Sequence, residues 1–232
     1  MSWFKTYTKS SIGKKQVMAV TGLAWAGFAV THLLGNIPLA IGAKDAFNAY
    51  AKGLSDLGPL LYIAELGLLG ILVLHIYLAF KTRMENKAAR PIAYAVNARK
   101  GEKGFASFTM PYTGMAIFGF LILHIVTFKY GSYYCVGMEN AMDPSLCPEG
   151  VARDLYRTVV EEFSKFWYSA IYIVAMITFG LHVGHGVGSA VQTFGLSHPR
   201  YNSLVSKISI GYGFLVGGGN ILIVLAVMVR GA

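Results

Sequence analysis

Five of the six histidines in this chain, His32, His75, His124, His182 and His185, lie inside long apolar stretches; only His198 falls in a polar segment. An imidazole can give a lone pair to a metal, carry a proton, or hydrogen-bond through either nitrogen. In an apolar interior it needs such a partner, because an unsatisfied polar group there costs several kcal/mol. A lone histidine usually finds one on a neighbouring helix. Histidines in four successive apolar stretches ask for a shared explanation, since ionisable groups inside a membrane are rare and tend to mark function.

The elements that must position them follow from composition. The chain has 232 residues, 55% hydrophobic and 13% charged, with a mean hydropathy of +0.52; a soluble domain carries about a quarter charged residues. Five stretches, near 15–41, 58–81, 110–130, 166–191 and 205–229, match the ~20 apolar residues that a bilayer crossing needs. They are continuously apolar, which predicts helices and not barrel strands. The first is too long for the core of a removable signal peptide. The expectation is an all-α integral membrane protein, a five-helix bundle forming one domain over 1–232. No internal repeat is expected. The segment 1–14 reads as a polar arm, 42–57 as a short mixed loop, and "GVARDLYRTVVEEF" as a surface helix. The glycines at 180, 184, 186 and 188, and at 211, 213, 217, 218 and 219, have two readings. They allow close helix packing, or they leave room for a flat cofactor.

The net charge of +9 is patterned. Lys5, Lys9, Lys14 and Lys15 precede the first stretch. Lys81, Arg83, Lys87, Arg90, Arg99, Lys100 and Lys103 surround the second loop, and Arg200 and Lys207 the fourth. These thirteen of the twenty basic residues share one side, while Glu139, Asp143, Glu149, Asp154, Glu161 and Glu162 collect on the other. The bias predicts a cytoplasmic N-terminus and an outer C-terminus. It is an orientation signal, and no nucleic-acid partner is expected. Cys135 and Cys147 lie in one predicted outer loop, where oxidising conditions favour a structural disulfide over two free thiols.

Depth turns the histidines into pairs. His32 is seventeen residues beyond Lys15 and His124 thirteen beyond Pro111, about 25 Å and 20 Å along helices running outward. His75 and His182 lie on helices running inward, sixteen residues past Pro59 and fifteen past Trp167. His32 and His124 therefore share the outer half, His75 and His182 the inner half. Zinc prefers four nitrogen or sulfur ligands at one site. Haem iron needs two axial ligands, and its apolar ring suits a bundle core. The pattern points to two bis-histidine haems b, with a proton-coupled transporter using structural histidines as the other reading. His185, three residues after His182, is an alternative inner ligand.

At this point "SSIGKKQVMAVTGLAWAGFAVTHLLGN", "LHVGHG" and "QTFGLSHPRYN" carry a resemblance. They resemble the cytochrome b subunit of succinate dehydrogenase and fumarate reductase, in its five-helix, two-haem form, over nearly the whole chain. The resemblance implies a membrane anchor in a bacterial cytoplasmic membrane that binds no dicarboxylate itself. An FAD-bearing flavoprotein and an iron–sulfur subunit would dock on its cytoplasmic face, and electrons would pass between the iron–sulfur clusters and membrane menaquinone. Homodimerisation of the complex is compatible with it. The family's ligand pattern falls on His32 and His124 for the outer haem and on His75 and His182 for the inner one. His182 is preferred to His185 because it precedes a glycine, Gly186, by four residues. One departure is Gly180, where some two-haem fumarate reductases carry a glutamate that returns protons, so electron transfer across this chain is expected to be electrogenic. A dihaem cytochrome serving a hydrogenase or formate dehydrogenase is the neighbouring alternative.

Quinone chemistry also needs a group that exchanges protons. Glu65 is the one carboxylate well inside a predicted helix, in the half that holds His32 and His124, and is the candidate quinol proton acceptor, with Tyr62 one turn away. Alternatively it reaches an outer aqueous cavity or hydrogen-bonds a neighbouring helix. Lys15, Arg83 and Gln192 fall near the inner pair, either as partners of haem propionates or, for the cations, as ordinary interfacial anchors.

Overall fold

The structure, a computed structural model, describes residues 2–89, 105–138, 147–148 and 151–231. Their regular elements are helical: α1 Trp3–Lys9, α2 Ser11–Ile41, α3 Lys44–Ser55, α4 Pro59–Ala88, α5 Phe105–Phe128, α6 Leu155–Phe163, α7 Phe166–Thr193, α8 Pro199–Gly213 and α9 Gly219–Gly231, with a π-helical turn, Phe214–Gly218, joining the last two. Five segments are long and apolar enough to cross a membrane: Ser11–Ile41, Pro59–Ala88, Phe108–Phe128, Phe166–Thr193 and Pro199–Gly231. This is the pattern of a multi-pass membrane protein. Arg90, Arg99, Lys100, Lys103, Glu139, Asp143 and Glu149, which enter the charge argument, lie outside the described residues.

Local chemistry explains where the helices differ from expectation. The arm before the first span is itself helical, and α2 begins early because Ser10 caps it, its Oγ accepting from the Gly13 N–H at 3.0 Å. Gly42, at φ 73°, then closes α2 in the left-handed conformation that glycine adopts without penalty. The expected loop 42–57 is mostly the amphipathic helix α3. α4 continues past Lys81 to Ala88, and its polar last turn is tied back to α2 by a Lys14–Glu85 ion pair. The last span starts at Pro199, a residue preorganised for a first helical turn.

α2 and α7 pack against each other. α4 lies along α2, α5 along α7, and α8, the π turn and α9 against α7 and α2. Among the described residues α4 and α5 make no extended contact. The glycines fall into two groups by what surrounds them. Gly180 and Gly184 of α7 press on Gly213 and Ser209 of α8: a Cβ at Gly180 would lie 2.8 Å from the Gly213 carbonyl oxygen, and one at Gly217 the same distance from that of Met176. Those glycines serve helix packing. Gly186, Gly211 and Gly218 have open space where a side chain would be.

Two ends can be named by α2: the near end, where it starts, and the far end, where it finishes. The far end carries a cap. Cys135 and Cys147 form a disulfide with Cα atoms 5.8 Å apart, and Cys135 pairs with Arg153 in an isolated bridge. The Arg153 guanidinium donates to the carbonyls of Phe128 at 2.9 Å and Ser132 at 2.8 Å, closing the C-terminal end of α5. Asp154 accepts from the Arg157 N–H as the N-cap of α6, from the Asn48 amide at 2.8 Å, and from Lys44 at 2.6 Å. Burial pushes its carboxyl up, but the Lys44, Asn48 and Arg157 donors outweigh this and hold it below the usual carboxylate range. The polar residue thus fastens α3 to α6. Beneath it Leu33, Phe47, Val159, Phe163, Tyr172 and Val224 belong to one buried cluster.

Candidate functional site

In the far half of the bundle the rings of His32 on α2 and His124 on α5 meet, centroids 5.6 Å apart and planes at 87°. Two imidazoles that each place a nitrogen about 2 Å from one metal ion have centres about 5–6 Å apart, depending on the angle between them. The pair is close to that spacing. His124 is held by Tyr172 on α7, whose hydroxyl lies 3.1 Å from Nδ1 and accepts in turn from the Tyr168 hydroxyl at 3.2 Å. Phe120 and Phe128 flank the same ring. His32 stacks on Phe28, at 5.5 Å and 22°, but among the described residues its ring has no hydrogen-bond partner, and it is exposed.

The near half is built differently. His75 on α4 places Nδ1 3.1 Å from the Met18 carbonyl oxygen and 3.2 Å from Thr21 Oγ1. A carbonyl only accepts, so Nδ1 carries the proton and Nε2 keeps a bare lone pair. His182 on α7 has Nδ1 3.0 Å from Thr113 Oγ1. The Thr113 hydroxyl hydrogen is taken by its own helix, with the carbonyls of Thr109 and Met110 at 3.2 and 3.0 Å. Its oxygen therefore accepts from His182, and that Nε2 is bare as well. His185, one turn on, is half-buried and has no such anchor among the described residues.

The depths of the two tiers follow from the chain. Thr21 and Thr113 stand eleven residues before His32 and His124, about 16 Å along each helix. Because His32 and His124 touch, the two threonines and the histidines they hold also share a level. The chain thus presents two histidine pairs at two depths. Among the described residues no cluster of three or more His, Cys, Asp or Glu forms, so the closed four-ligand site that zinc prefers is not assembled there.

Two further features face the interior. A Cβ on Gly22 would meet His75 Cε1 at 3.0 Å, and one on Gly114 would meet His182 Cε1 at 3.4 Å, so these glycines make room for the near-tier rings. Trp25 Nε1 is buried without a partner among the described residues. It lies one turn after Thr21 and two turns before His32, on the face of α2 that carries both. A donor left open on this face of α2, between the levels of Thr21 and His32, fits a group that brings its own acceptors.

Glu65 lies on α4 in the far half and forms an ion pair with Lys129 at the end of α5, each side chain about one-third exposed. The Lys129 ammonium sits 5.7 Å from the Tyr62 ring centre and 5.8 Å from that of Tyr130. This ion pair spans the gap between α4 and α5. At the near end Lys15 and Gln192 line one cleft of about 220 Å³ with Ile12, Ser189 and Thr193; Arg83 does not line it.

Sequence reasoning found the histidines but missed Thr21, Thr113, Gly22, Gly114, Tyr172 and Lys129. A signal for four of these was present. Contrary to expectation the chain contains a short repeat, TGxAxxGFxxxH, at 21–32 and again at 113–124. Searches of protein-family models, curated proteins and solved structures return no match to the chain.

Proposed function

We propose that this chain is the dihaem cytochrome b anchor of a succinate:quinone or quinol:fumarate oxidoreductase, seated in a bacterial cytoplasmic membrane. The observation that carries the reading is the pair of histidine tiers at two depths, with the near-tier Nδ1 atoms committed to hydrogen bonds and their Nε2 atoms free. His32 and His124 would hold one haem b, His75 and His182 the other. The haem irons, when bound, supply reversible one-electron steps. The chain's own residues do the rest. Phe120 and Phe128 flank the His124 imidazole, Phe28 stacks on that of His32, Thr21 and Thr113 orient the near-tier rings, and the Trp25 donor lies between the tiers. The Glu65 carboxylate, paired with Lys129, takes a proton from a quinol hydroxyl at the gap between α4 and α5. An FAD-bearing flavoprotein and an iron–sulfur subunit dock at the near end, on the lysine-rich cytoplasmic side, and menaquinone reaches the far tier from the lipid.

The test is to purify the complex from its native membrane, record its reduced-minus-oxidised spectrum, and identify what accompanies it. Two b-type haems with a covalent or tightly held flavin and succinate-reducible haem support the whole proposal. Two haems with a hydrogenase or formate dehydrogenase partner would keep the cytochrome and change the complex. A folded chain without haem absorbance would return the histidines to a proton-coupled transporter.

A further inference from the structure

The repeat TGxAxxGFxxxH is matched in three dimensions by what each copy touches. Thr21 on α2 faces His75 on α4, the antiparallel helix packed along it; Thr113 on α5 faces His182 on α7, packed along it in the same sense. In both hairpins the glycine after the threonine lies under Cε1 of the same ring. In both, the threonine hydrogen goes to its own helix, Thr21 to Val17 or Met18 at 3.1 and 2.9 Å and Thr113 to Thr109 or Met110. The oxygen is left only to accept.

From these contacts we infer that the hairpins α2–α4 and α5–α7 are two copies of one histidine-holding unit, in which a Thr–Gly pair seats the metal-ligating histidine of the opposite helix. The threonine fixes which ring nitrogen carries the proton and how the ring is turned; the glycine fixes how closely the ring approaches. Thr21 and Thr113 are positioning residues. The identity of the bound group rests on the dihaem reading, whereas the seat is a property of the chain itself.

The two seats are not equally robust, and the difference supplies the test. His75 keeps a second acceptor, the Met18 carbonyl, when Thr21 is lost; His182 has Thr113 alone among the described residues. Thr113→Val, which removes the acceptor at constant shape, therefore acts more strongly than Thr21→Val. The glycines reverse the order, because a methyl at Gly22 is tighter against its ring than one at Gly114 (3.0 against 3.4 Å).

The experiment is a redox titration, resolved haem by haem, of the purified complex carrying Thr113→Val, Thr113→Ser or Thr21→Val. Thr113→Val is expected to shift the one-electron equilibrium of one haem about tenfold, ~59 mV, and to leave the other haem in place. Thr113→Ser restores the wild-type value, and Thr21→Val gives a smaller shift. Two retained haems with unmoved potentials in Thr113→Val overturn the seat and leave the dihaem reading standing. So does loss of haem in Thr113→Ser as well as in Thr113→Val, since serine keeps the acceptor. A wild-type complex without haem sinks the dihaem reading instead. Histidine ¹⁵N spectra of those samples then decide the seat: protonated Nδ1 on two histidines, lost from one in Thr113→Val, supports it, and an unchanged tautomer overturns it.

Discussion

The near tier of histidines, on α4 and α7, and the far tier, on α2 and α5, are held by different means. Near-tier rings hang on threonines supplied by a repeated segment, and both show the same hydrogen-bond logic. Far-tier rings sit in an aromatic box that serves one of them well and the other poorly. His124 has Tyr172, Phe120 and Phe128; His32 has a stacking ring and no hydrogen bond among the described residues. The register explains the difference. Ten residues before His182 comes Tyr172, which holds His124; ten residues before His75 comes Glu65, which turns to Lys129. One duplicated position carries a phenol in one hairpin and a carboxylate in the other. The near tier therefore keeps the symmetry of the repeat, and the far tier has given it up to place an ionisable group beside a lateral gap.

The largest expected effects break the tiers one at a time. His182→Ala removes one haem per chain and leaves the other, whereas His185→Ala keeps both; His124→Ala removes the complementary haem, so spectra of the two variants should sum to that of the wild type. Next comes the group that distinguishes the far tier. Glu65→Gln is expected to lower quinol-driven turnover about 100-fold, as loss of a proton-transfer group does, with both haems still present; undiminished turnover would leave the carboxylate as a partner of Lys129 and nothing more.

The far-end cap supports smaller effects. Removing the Cys135–Cys147 bridge, with both residues changed to serine, should cost about 2–4 kcal/mol of stability, read by thermal unfolding in detergent, with the far-tier haem released first. Acid should act through Asp154. Its folded pKa is depressed, so its contribution is present at neutral pH, above the ordinary carboxylate range, and is lost as pH falls through the folded value. A wild-type stability loss in that acid window that is absent in Asp154→Asn checks the assignment.

Hydropathy alone made the five spans legible, because each buries a continuous apolar length in a bilayer and little else is compatible with that. Counting residues to His32 and His124 was enough to put them on one level, since helical rise is fixed. The polar helices were harder. α1 and α3 have too few apolar residues to stand out against loops, and α3 is fastened by Asn48 and Lys44 to Asp154, more than a hundred residues away. The Thr21–His75 and Thr113–His182 contacts span 54 and 69 residues, and nothing in local spacing announces them. The repeat that carries both threonines matches at only half of twelve positions, which is easily lost among apolar helices of similar composition. The glycines show the opposite case: their types were visible, but their roles depend on what each one faces. At Gly180 the α8 backbone fills the place of a side chain. A glutamate has no room there, so glycine at 180 is required by the packing of α7 on α8.

The central claim, two histidine tiers each holding one haem, is tested most directly by haem content. A pyridine haemochrome assay on the purified chain, referred to protein by amino-acid analysis, should give two b-type haems per chain. That value should fall to one in His182→Ala and to one in His124→Ala. A value of zero in folded wild-type protein, or a wild-type value that neither variant lowers, would contradict the account.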